Sequence, residues 1–150
     1  MMKIAVLGAG AIAHKMSNTI SQMENVEPYI IADTVAEKAQ SLADQYGYTK
    51  VCGSVDEIVA DDAVDLVYIA LPHSLHYKFT KICLEGGKNV LCEKSFTVNA
   101  DQAREILALA EEKKLLLQEA IWTRYMPSRK IIDDAVSYTH LRAHETAANL

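Results

Sequence analysis

The sequence lacks a long apolar run, a secretion signal and an excess of positive charge, and each absence argues against a class of protein. No apolar stretch reaches the ~18 residues that a membrane-spanning helix needs, so we expect no membrane partner. The net charge of −5 at pH 7 disfavours a nucleic-acid partner. The N-terminus has the pattern of a strand and no small-residue cleavage site, so we expect no signal peptide.

Cysteine is scarce, and the three in the chain are Cys52, Cys83 and Cys92. An odd number without a Cys-x-x-Cys pair predicts neither a disulfide framework nor a zinc site. We therefore expect reduced, mostly buried thiols in a cytoplasmic protein. His73 and His76 lie three residues apart without a third ligand candidate, so no metal site is expected.

Glycine is scarce too, yet two of the six glycines form a motif directly after the first apolar run. Residues 4–7 have the composition of a buried parallel strand, and Gly8-Ala9-Gly10-Ala11-Ile12-Ala13 matches G-x-G-x-x-G/A. Gly8 allows a tight turn, Gly10 lets a pyrophosphate approach the backbone, and Ala13 allows close packing of the next helix. The pattern predicts dinucleotide binding, and the alternative is a glycine-rich turn without a ligand. The predicted cofactor-binding residues of this motif are Gly8, Gly10, Ala11 and Ile12.

Six apolar runs alternate with helical patterns along the chain. This alternation predicts an α/β fold: a doubly wound parallel sheet of the Rossmann type, with strand order 3-2-1-4-5-6. The predicted strands are residues 4–7, 29–32, 50–52, 65–71, 89–92 and 115–119, and the predicted helices are residues 11–23, 35–46, 54–61, 72–84 and 100–113. Gly47 is predicted to end the second helix, and Ser54 with Glu57 and Asn99 with Gln102 are predicted to cap the third and the fifth.

Asp33 ends the second predicted strand, 23 positions beyond Gly10. This is near the spacing at which a carboxylate accepts hydrogen bonds from an adenosine ribose. A carboxylate there would repel a 2′-phosphate, and the neighbouring Thr34 is not basic, so the pair favours NAD over NADP as the cofactor. The alternative is that Asp33 caps the helix of residues 35–46, and the two roles can coexist.

Further polar signals follow the later strands, at Leu71–His76, Glu93–Lys94 and Glu119. The carboxyl ends of parallel strands share one edge of the sheet, where ligands bind. Lys94 at the mouth of a buried strand is suited to acid/base work, with a solvated lysine as the alternative. Glu93 could pair with Lys94 or contact a ribose.

Taken together, three motifs resemble the Gfo/Idh/MocA family (glucose-fructose oxidoreductase/inositol dehydrogenase): the glycine motif of residues 8–13, Leu71–His76 and Cys92–Phe96. The stretch Glu119–Pro127 resembles the dihydrodiol and D-xylose dehydrogenase branch. The resemblance covers residues 2–136. It implies an NAD(P)-dependent oxidoreductase acting on CH–OH groups of a sugar, polyol or cyclic diol.

The resemblance also implies roles for individual residues. Lys94 would be catalytic, beside the nicotinamide and the substrate hydroxyl. His76 matches the family's His, as a catalytic or cofactor-loop residue or, alternatively, a capping or packing histidine. Trp122 and Arg124 match residues that line the nicotinamide end, although Trp122 could equally serve packing. The remaining implied cofactor contacts are Leu71, Pro72 and Glu93.

The sequence departs from the family pattern at three places. Ser95 replaces the Pro of the family's Glu-Lys-Pro motif, which relaxes the backbone but removes no catalytic group. His73 replaces an Asn, so a side-chain contact of that Asn is in doubt. Members of the branch often have Ser-Arg where this chain has Asp33-Thr34, which supports NAD.

The final residues break with the resemblance. Residues 1–126 are predicted to form the NAD(P)-binding domain, and residues 127–136 a helix towards a second domain that is missing. Ser137–Thr146 resembles translated sequencing-adapter read-through, so residues 137–150 are expected to be a non-native tail; the alternative is a genuine polar terminal helix.

The family's second α/β domain would supply most of the substrate pocket, so the fragment alone is expected to bind cofactor without turnover. The alternative function is a non-enzymatic NAD(H)-binding module or redox sensor, and a full-length protein is expected to form a homo-oligomer.

Overall fold

In the computed structural model, the described backbone covers residues 1–148 and the described side chains are those of residues 1–137. The chain divides into two compact units. The first unit is Met1–Ala120, and the second begins at Ile121.

The first unit alternates strands and helices along its length. Its strands are β1 (Met2–Leu7), β2 (Val26–Ala32), β3 (Lys50–Cys52), β4 (Leu66–Ile69), β5 (Asn89–Cys92) and β6 (Leu117–Glu119). Its helices are α1 (Ala11–Ile20), α2 (Ala36–Tyr46), α3 (Val55–Ala60), α4 (His73–Glu85) and α5 (Ala100–Lys113). Neighbouring strands run parallel in the order β3-β2-β1-β4-β5-β6. The predicted α/β fold and its strand order are confirmed.

Both faces of the sheet are buried, because successive side chains of a strand point to opposite faces. Ile4 and Val6 belong to an apolar cluster that includes buried residues of α1 and α2. Ala5 and Leu7 belong to a second cluster, which includes buried residues of α3, α4 and α5. Each fully buried large side chain, such as Ile69, contributes about 1.5–3 kcal/mol of transfer free energy. The burial extends to the last residues of the central strands, Leu7, Ala32, Ile69 and Cys92, so polar groups occur in the segments that follow them.

The ends of several helices follow their predicted signals. Gly47 adopts a left-handed φ of +76° after α2, and Asn99 Oδ1 accepts a hydrogen bond from the Gln102 N–H group at the start of α5. At α3 the capping box is incomplete, since the Ser54 side chain makes no cap bond. The Glu57 carboxylate instead accepts a hydrogen bond from the Ser54 hydroxyl at 3.3 Å.

Some strand boundaries differ from the predicted ones because pairing, rather than composition, decides where a strand begins. β2 begins at Val26, earlier than predicted, since Val26 is already paired with Met2 of β1. β6 begins at Leu117, later than predicted, since Leu117 is the first residue paired with β5. Helix α1 ends at Ile20, short of the predicted Met23.

The second unit contains a 3₁₀ turn, Trp122–Tyr125, followed by helix α6, Pro127–Ala148. A helix was predicted for residues 127–136, and α6 extends beyond that range. All described side chains of residues 121–137 are exposed. The domain boundaries after residues 126 and 136 stay predictions.

Candidate functional site

The parallel strands of the first unit bring most of the predicted site residues to one edge. The last residues of neighbouring strands are in register: Leu7 pairs with Ala32 and Ile69, and Ile69 pairs with Cys92. The polar and glycine-rich segments come directly after these residues, so they meet at what we call the carboxyl edge. The segments are Gly8–Ile12, Asp33–Thr34, Leu71–Pro72 and Glu93–Lys94.

The two glycines of the first turn are required for different reasons. Gly8 has a φ of +106°, and a Cβ atom there would lie 2.6 Å from the Ala70 carbonyl oxygen, so the fold itself requires glycine. Gly10 is exposed and has an ordinary φ of −86°. A Cβ atom on Gly10 would meet no atom of the described residues within 4 Å. The described atoms therefore place no steric requirement for glycine at position 10, and the space beside its backbone is open.

Helix α1 begins in this turn, at Ala11. Gly10 is its N-cap and provides no side-chain hydrogen bond, and the first turn carries no acidic residue. Ala11 and Ile12 lie exposed in that turn. Free N–H groups and the positive end of the helix dipole favour an anion at such a position.

The Asp33 carboxylate is anchored by two backbone groups. Its Oδ2 atom accepts a hydrogen bond from the Ala9 N–H group at 2.8 Å, and its Oδ1 atom accepts one from the Val35 N–H group at 2.8 Å. The N-cap of α2 is Val35, so Asp33 stabilises the turn before the helix and is not the N-cap. An ionised carboxylate can accept about four hydrogen bonds, and Asp33 therefore retains capacity for hydroxyl groups.

A cavity of about 510 Å³ opens beside Asp33. Its volume lies within the range of small-molecule sites, which are typically apolar with a few polar groups. The apolar wall consists mainly of Leu71, Pro72, Leu75, Phe79 and Ile82, and the polar groups include Asp33, Thr34, Asp56 and Lys78. The cavity thus offers an apolar slot next to the carboxylate that ends β2.

Lys94 is exposed directly after β5, and the Lys94–Ser95 peptide bond is cis. Within residues 1–137, its ammonium group has no hydrogen-bond or ion-pair partner. Its backbone is fixed, because the Lys94 N–H group donates to Glu93 Oε2 at 3.1 Å. Glu93 is only 7% exposed, and its Oε1 atom accepts a hydrogen bond from the Tyr68 hydroxyl at 2.5 Å. Burial and this contact with Glu93 raise the pKa of Tyr68, which keeps the phenol protonated as the donor.

His76 is fully buried in the first turns of α4. Its Nδ1 atom lies 2.7 Å from the Ser95 carbonyl oxygen, and its Nε2 atom lies 2.8 Å from the Leu71 carbonyl oxygen. The ring therefore bridges the segment after β4 and the segment after β5. His73 is exposed, and its ring meets that of His76 edge to face, with centroids 5.4 Å apart.

Trp122 and Arg124 belong to the second unit, in the 3₁₀ turn. Trp122 is 63% exposed, and Arg124 lines a cavity of that unit with Ile132 and Met126. Their predicted contact with the nicotinamide stays a prediction.

Two residues that touch the site segments had no role in the sequence-based prediction. Tyr68 lies within an apolar strand, and only its hydroxyl group signals a buried polar partner. Glu119 ends β6, and the sequence motifs assign it no function; its Oε1 atom accepts a hydrogen bond from the Phe96 N–H group at 2.8 Å.

The described residues contain neither a metal-binding cluster nor a membrane-spanning helix. No three His, Cys, Asp or Glu side chains among them converge as a metal site would require. None of the helices they form has both the length and the apolar composition for crossing a bilayer.

A six-stranded parallel sheet in this order, with a glycine turn after its first strand, defines the dinucleotide-binding class of α/β domains. A family model described as "GFO_IDH_MocA: Oxidoreductase family, NAD-binding Rossmann fold" matches residues 2–121. The chain therefore belongs to the Gfo/Idh/MocA family of oxidoreductases and contains its NAD(P)-binding domain.

Relatives from the predicted branch are among the matches. D-xylose 1-dehydrogenase (NADP(+)) of Hypocrea jecorina is 59% identical over 78 residues, which are 52% of this chain and 20% of that protein. Trans-1,2-dihydrobenzene-1,2-diol dehydrogenase of Mus musculus is 31% identical over 137 residues, 90% of this chain and 41% of that protein. Along most of its length, the chain thus spans about two fifths of such a relative.

Among solved structures, the fold is similar to that of KijD10, a 3-ketoreductase from Actinomadura kijaniata in complex with NADP and TDP-benzene. The TM-score is 0.87 at 27% identity, over 91% of this chain and 42% of that one.

Proposed function

We propose that this chain binds NAD at the carboxyl edge, as the cofactor half of an oxidoreductase. The whole protein would transfer hydride between NAD and a hydroxyl-bearing carbon of a sugar, polyol or cyclic diol. The observation that carries the proposal is Gly10. Its missing Cβ atom relieves no contact with the described residues, and the open space leaves its backbone accessible to a ligand. Glycine also suits the N-cap of α1, and the two roles are compatible.

The residues present fit a dinucleotide along the whole edge. The uncapped start of α1, at Gly10, Ala11 and Ile12, would hold the pyrophosphate. Asp33 would accept hydrogen bonds from the adenosine ribose with its remaining lone pairs. The apolar wall around Leu71 and Pro72 would hold the adenine.

The preference for NAD over NADP rests on charge. Asp33 and Asp56 both line the cavity, with Lys78 as its basic residue, and Thr34 adds no positive charge. A 2′-phosphate on the ribose would face the Asp33 carboxylate and be repelled. The Hypocrea relative is named for NADP and the KijD10 structure holds NADP, so the proposed preference is a departure from both.

Lys94 is proposed as the group that exchanges a proton with the substrate hydroxyl. When bound, the cofactor supplies the hydride chemistry. The Lys94 ammonium group is exposed, and its backbone is held by a buried neighbour. A lysine whose backbone is held in place and whose ammonium group is exposed can reach a substrate that another domain presents.

The chain of 150 residues is proposed to bind cofactor without measurable turnover. It spans 41% of the length of the mouse relative, and the remaining part would present the substrate. Well-oriented reacting groups can be worth ~7–11 kcal/mol of the barrier, which a substrate held on one side forfeits. We further propose that the whole protein is a cytoplasmic homo-oligomer with small-molecule substrates.

A fusion of residues 1–136 to the second domain of a close relative tests the catalytic part. Lys94→Ala should lower kcat by roughly 10²–10⁴, the usual contribution of one acid/base group, with little change in NAD affinity. Exposed Lys38→Ala on α2 serves as the matched control and should leave kcat unchanged. Near-normal kcat in Lys94→Ala would remove Lys94 from the mechanism, and a fusion that binds NAD without any dehydrogenase activity would favour a redox sensor.

A further inference from the structure

Three side chains hold the backbone of the segment that carries Lys94. The Lys94 N–H group donates to Glu93 Oε2 at 3.1 Å. The Ser95 carbonyl oxygen lies 2.7 Å from His76 Nδ1, and the Phe96 N–H group donates to Glu119 Oε1 at 2.8 Å. We call His76, Glu93 and Glu119 the Lys94 brace.

The members of the brace come from three different elements of the first unit. His76 lies in α4, Glu93 follows β5, and Glu119 ends β6. His76 is fully buried and Glu93 is nearly so. Hydrogen bonds of carboxylates to N–H groups are among the stronger kinds in proteins. The brace therefore links the end of β5 to a helix and to a neighbouring strand, over consecutive residues.

The side chain of Lys94 contrasts with its backbone. It is exposed, and its ammonium group has no partner among residues 1–137. Functional side chains need an origin fixed by supporting hydrogen bonds, since a displacement of about 1 Å can cost 10²-fold in rate. The brace provides such an origin while leaving the ammonium group free.

We propose that the Lys94 brace is a positioning device for Lys94, in which His76 and Glu119 act through the backbone and exchange no proton with substrate. His76 has no exposed surface, and both of its ring nitrogens face backbone carbonyl oxygens. This assigns to His76 a positioning role in place of the catalytic role that the family resemblance implies. It assigns a role to Glu119, which the motifs leave without one. The inference rests on the proposed catalytic function of Lys94.

Hydrogen exchange of the 150-residue chain tests the brace without any cofactor. The Lys94 amide is bonded to Glu93 and to neither His76 nor Glu119, so its protection reports the brace as a unit. We expect His76→Ala and Glu119→Ala each to lower that protection about tenfold, the scale of one lost hydrogen bond. His76→Asn, which restores a donor near the Nδ1 position, and Glu119→Gln, which restores an acceptor, should recover most of it. Exposed Glu112→Ala on α5 is the matched control and should change nothing.

The substitutions also separate the two contacts of the ring. His76→Gln places its donor near the Nε2 position, towards Leu71, and should fail to restore the protection of the Lys94 amide. Nitrogen-15 NMR of the His76 ring should show a proton on Nδ1. A ring protonated on Nε2 alone would overturn the proposal, as would rescue by Gln but not by Asn. Unchanged Lys94 protection in folded His76→Ala and Glu119→Ala would overturn it as well.

The hydrogen-exchange test of the brace does not depend on cofactor binding. If NADH fails to bind while the exchange pattern appears as expected, the proposed function fails and the brace stands as a device that fixes the Lys94 backbone. If NADH binds and the exchange pattern is absent, the brace alone fails.

Discussion

Asp33 and Ala9 are joined by a hydrogen bond of 2.8 Å between the Asp33 Oδ2 atom and the Ala9 N–H group. This bond ties the end of β2 to the glycine turn between β1 and α1. The other carboxylate oxygen holds the Val35 N–H group before α2. A carboxylate retains further lone pairs after two such bonds, so Asp33 can shape the turn and also accept ribose hydroxyl groups. The structural and the ligand-binding interpretations of Asp33 are therefore compatible.

Exchanging Asp33-Thr34 for Ser-Arg should reverse the proposed cofactor preference. The arginine would supply a positive charge for a 2′-phosphate, and charge-assisted hydrogen bonds are worth about 1.5–3 kcal/mol, or roughly tenfold or more in affinity. We expect the ratio of NADPH to NADH affinity to rise at least about tenfold. Thr34→Arg alone is the control: it retains the Asp33 carboxylate and should give a smaller change. An unchanged ratio in the double variant would contradict the electrostatic argument.

Gly8→Ala and Gly10→Ala should separate fold from ligand binding. An alanine at position 8 meets the Ala70 carbonyl oxygen at 2.6 Å in a left-handed conformation, and we expect a loss of about 1–3 kcal/mol in the free energy of unfolding. At position 10 the added methyl group meets nothing in the described chain. The expected change in stability there is below about 1 kcal/mol, while NADH affinity falls at least about tenfold because the pyrophosphate loses its approach. Urea unfolding and NADH titration of both variants provide the comparison. Normal NADH binding by Gly10→Ala would contradict the proposed pyrophosphate site at the start of α1.

The sequence was sufficient for the fold because the alternation of apolar runs and helical patterns is local information. It was not sufficient for the contacts that decide the roles of single residues. The motif assigns Gly8 to a tight turn, yet the contact that makes glycine indispensable there is with Ala70, which is distant in sequence. The burial of His76 depends on how α4 packs, and the partner of Tyr68 is Glu93, which follows another strand. Spacing placed Asp33 at the site but could not reveal its bond to Ala9.

The buried thiols should be unreactive and should make stability depend on pH. Burial raises the pKa of Cys83 to about 12 and that of Cys92 to about 11. Because the folded-state values exceed the unfolded value of about 8.5, the folded chain retains protons that the unfolded chain loses. The resulting stability is present below pH 8.5 and is lost as the pH rises towards 11–12.

Alkylation with iodoacetamide at pH 8, followed by mass spectrometry, tests whether the buried thiols are unreactive. The partly exposed Cys52 should be alkylated before Cys83 and Cys92, which should react only in urea. Urea unfolding between pH 8 and 11 tests the pH dependence of stability. Over that range, the free energy of unfolding of the Cys83→Ala/Cys92→Ala double variant should fall less steeply with pH than that of the unsubstituted chain. Equal alkylation of all three cysteines in the folded chain would show that the two thiols are accessible.

Removal of the residues after Val136 should leave the first unit intact. The one described side chain in the removed segment, that of Ser137, is exposed. We expect the free energy of unfolding to change by less than about 0.5 kcal/mol, as for neutral surface changes. Residues 137–150 are predicted to be a non-native tail, which would lack a packing partner, and an isolated helix is marginal in water. Hydrogen exchange should therefore show weak protection from about residue 137 onward. Strong protection there, or loss of folding on trimming, would show that the segment is structural.

The central claim is that the carboxyl edge binds a nicotinamide dinucleotide and prefers NAD. Titration of the folded 150-residue chain with NADH and with NADPH, under matched salt and pH and followed by nicotinamide fluorescence, tests it most directly. The account predicts saturable binding of NADH that is tighter than that of NADPH. It also predicts that Gly10→Ala weakens NADH binding at least about tenfold, with a change in stability below about 1 kcal/mol. Tighter binding of NADPH would contradict the role given to Asp33, and the absence of binding by either nucleotide to a folded sample would contradict the proposed site itself.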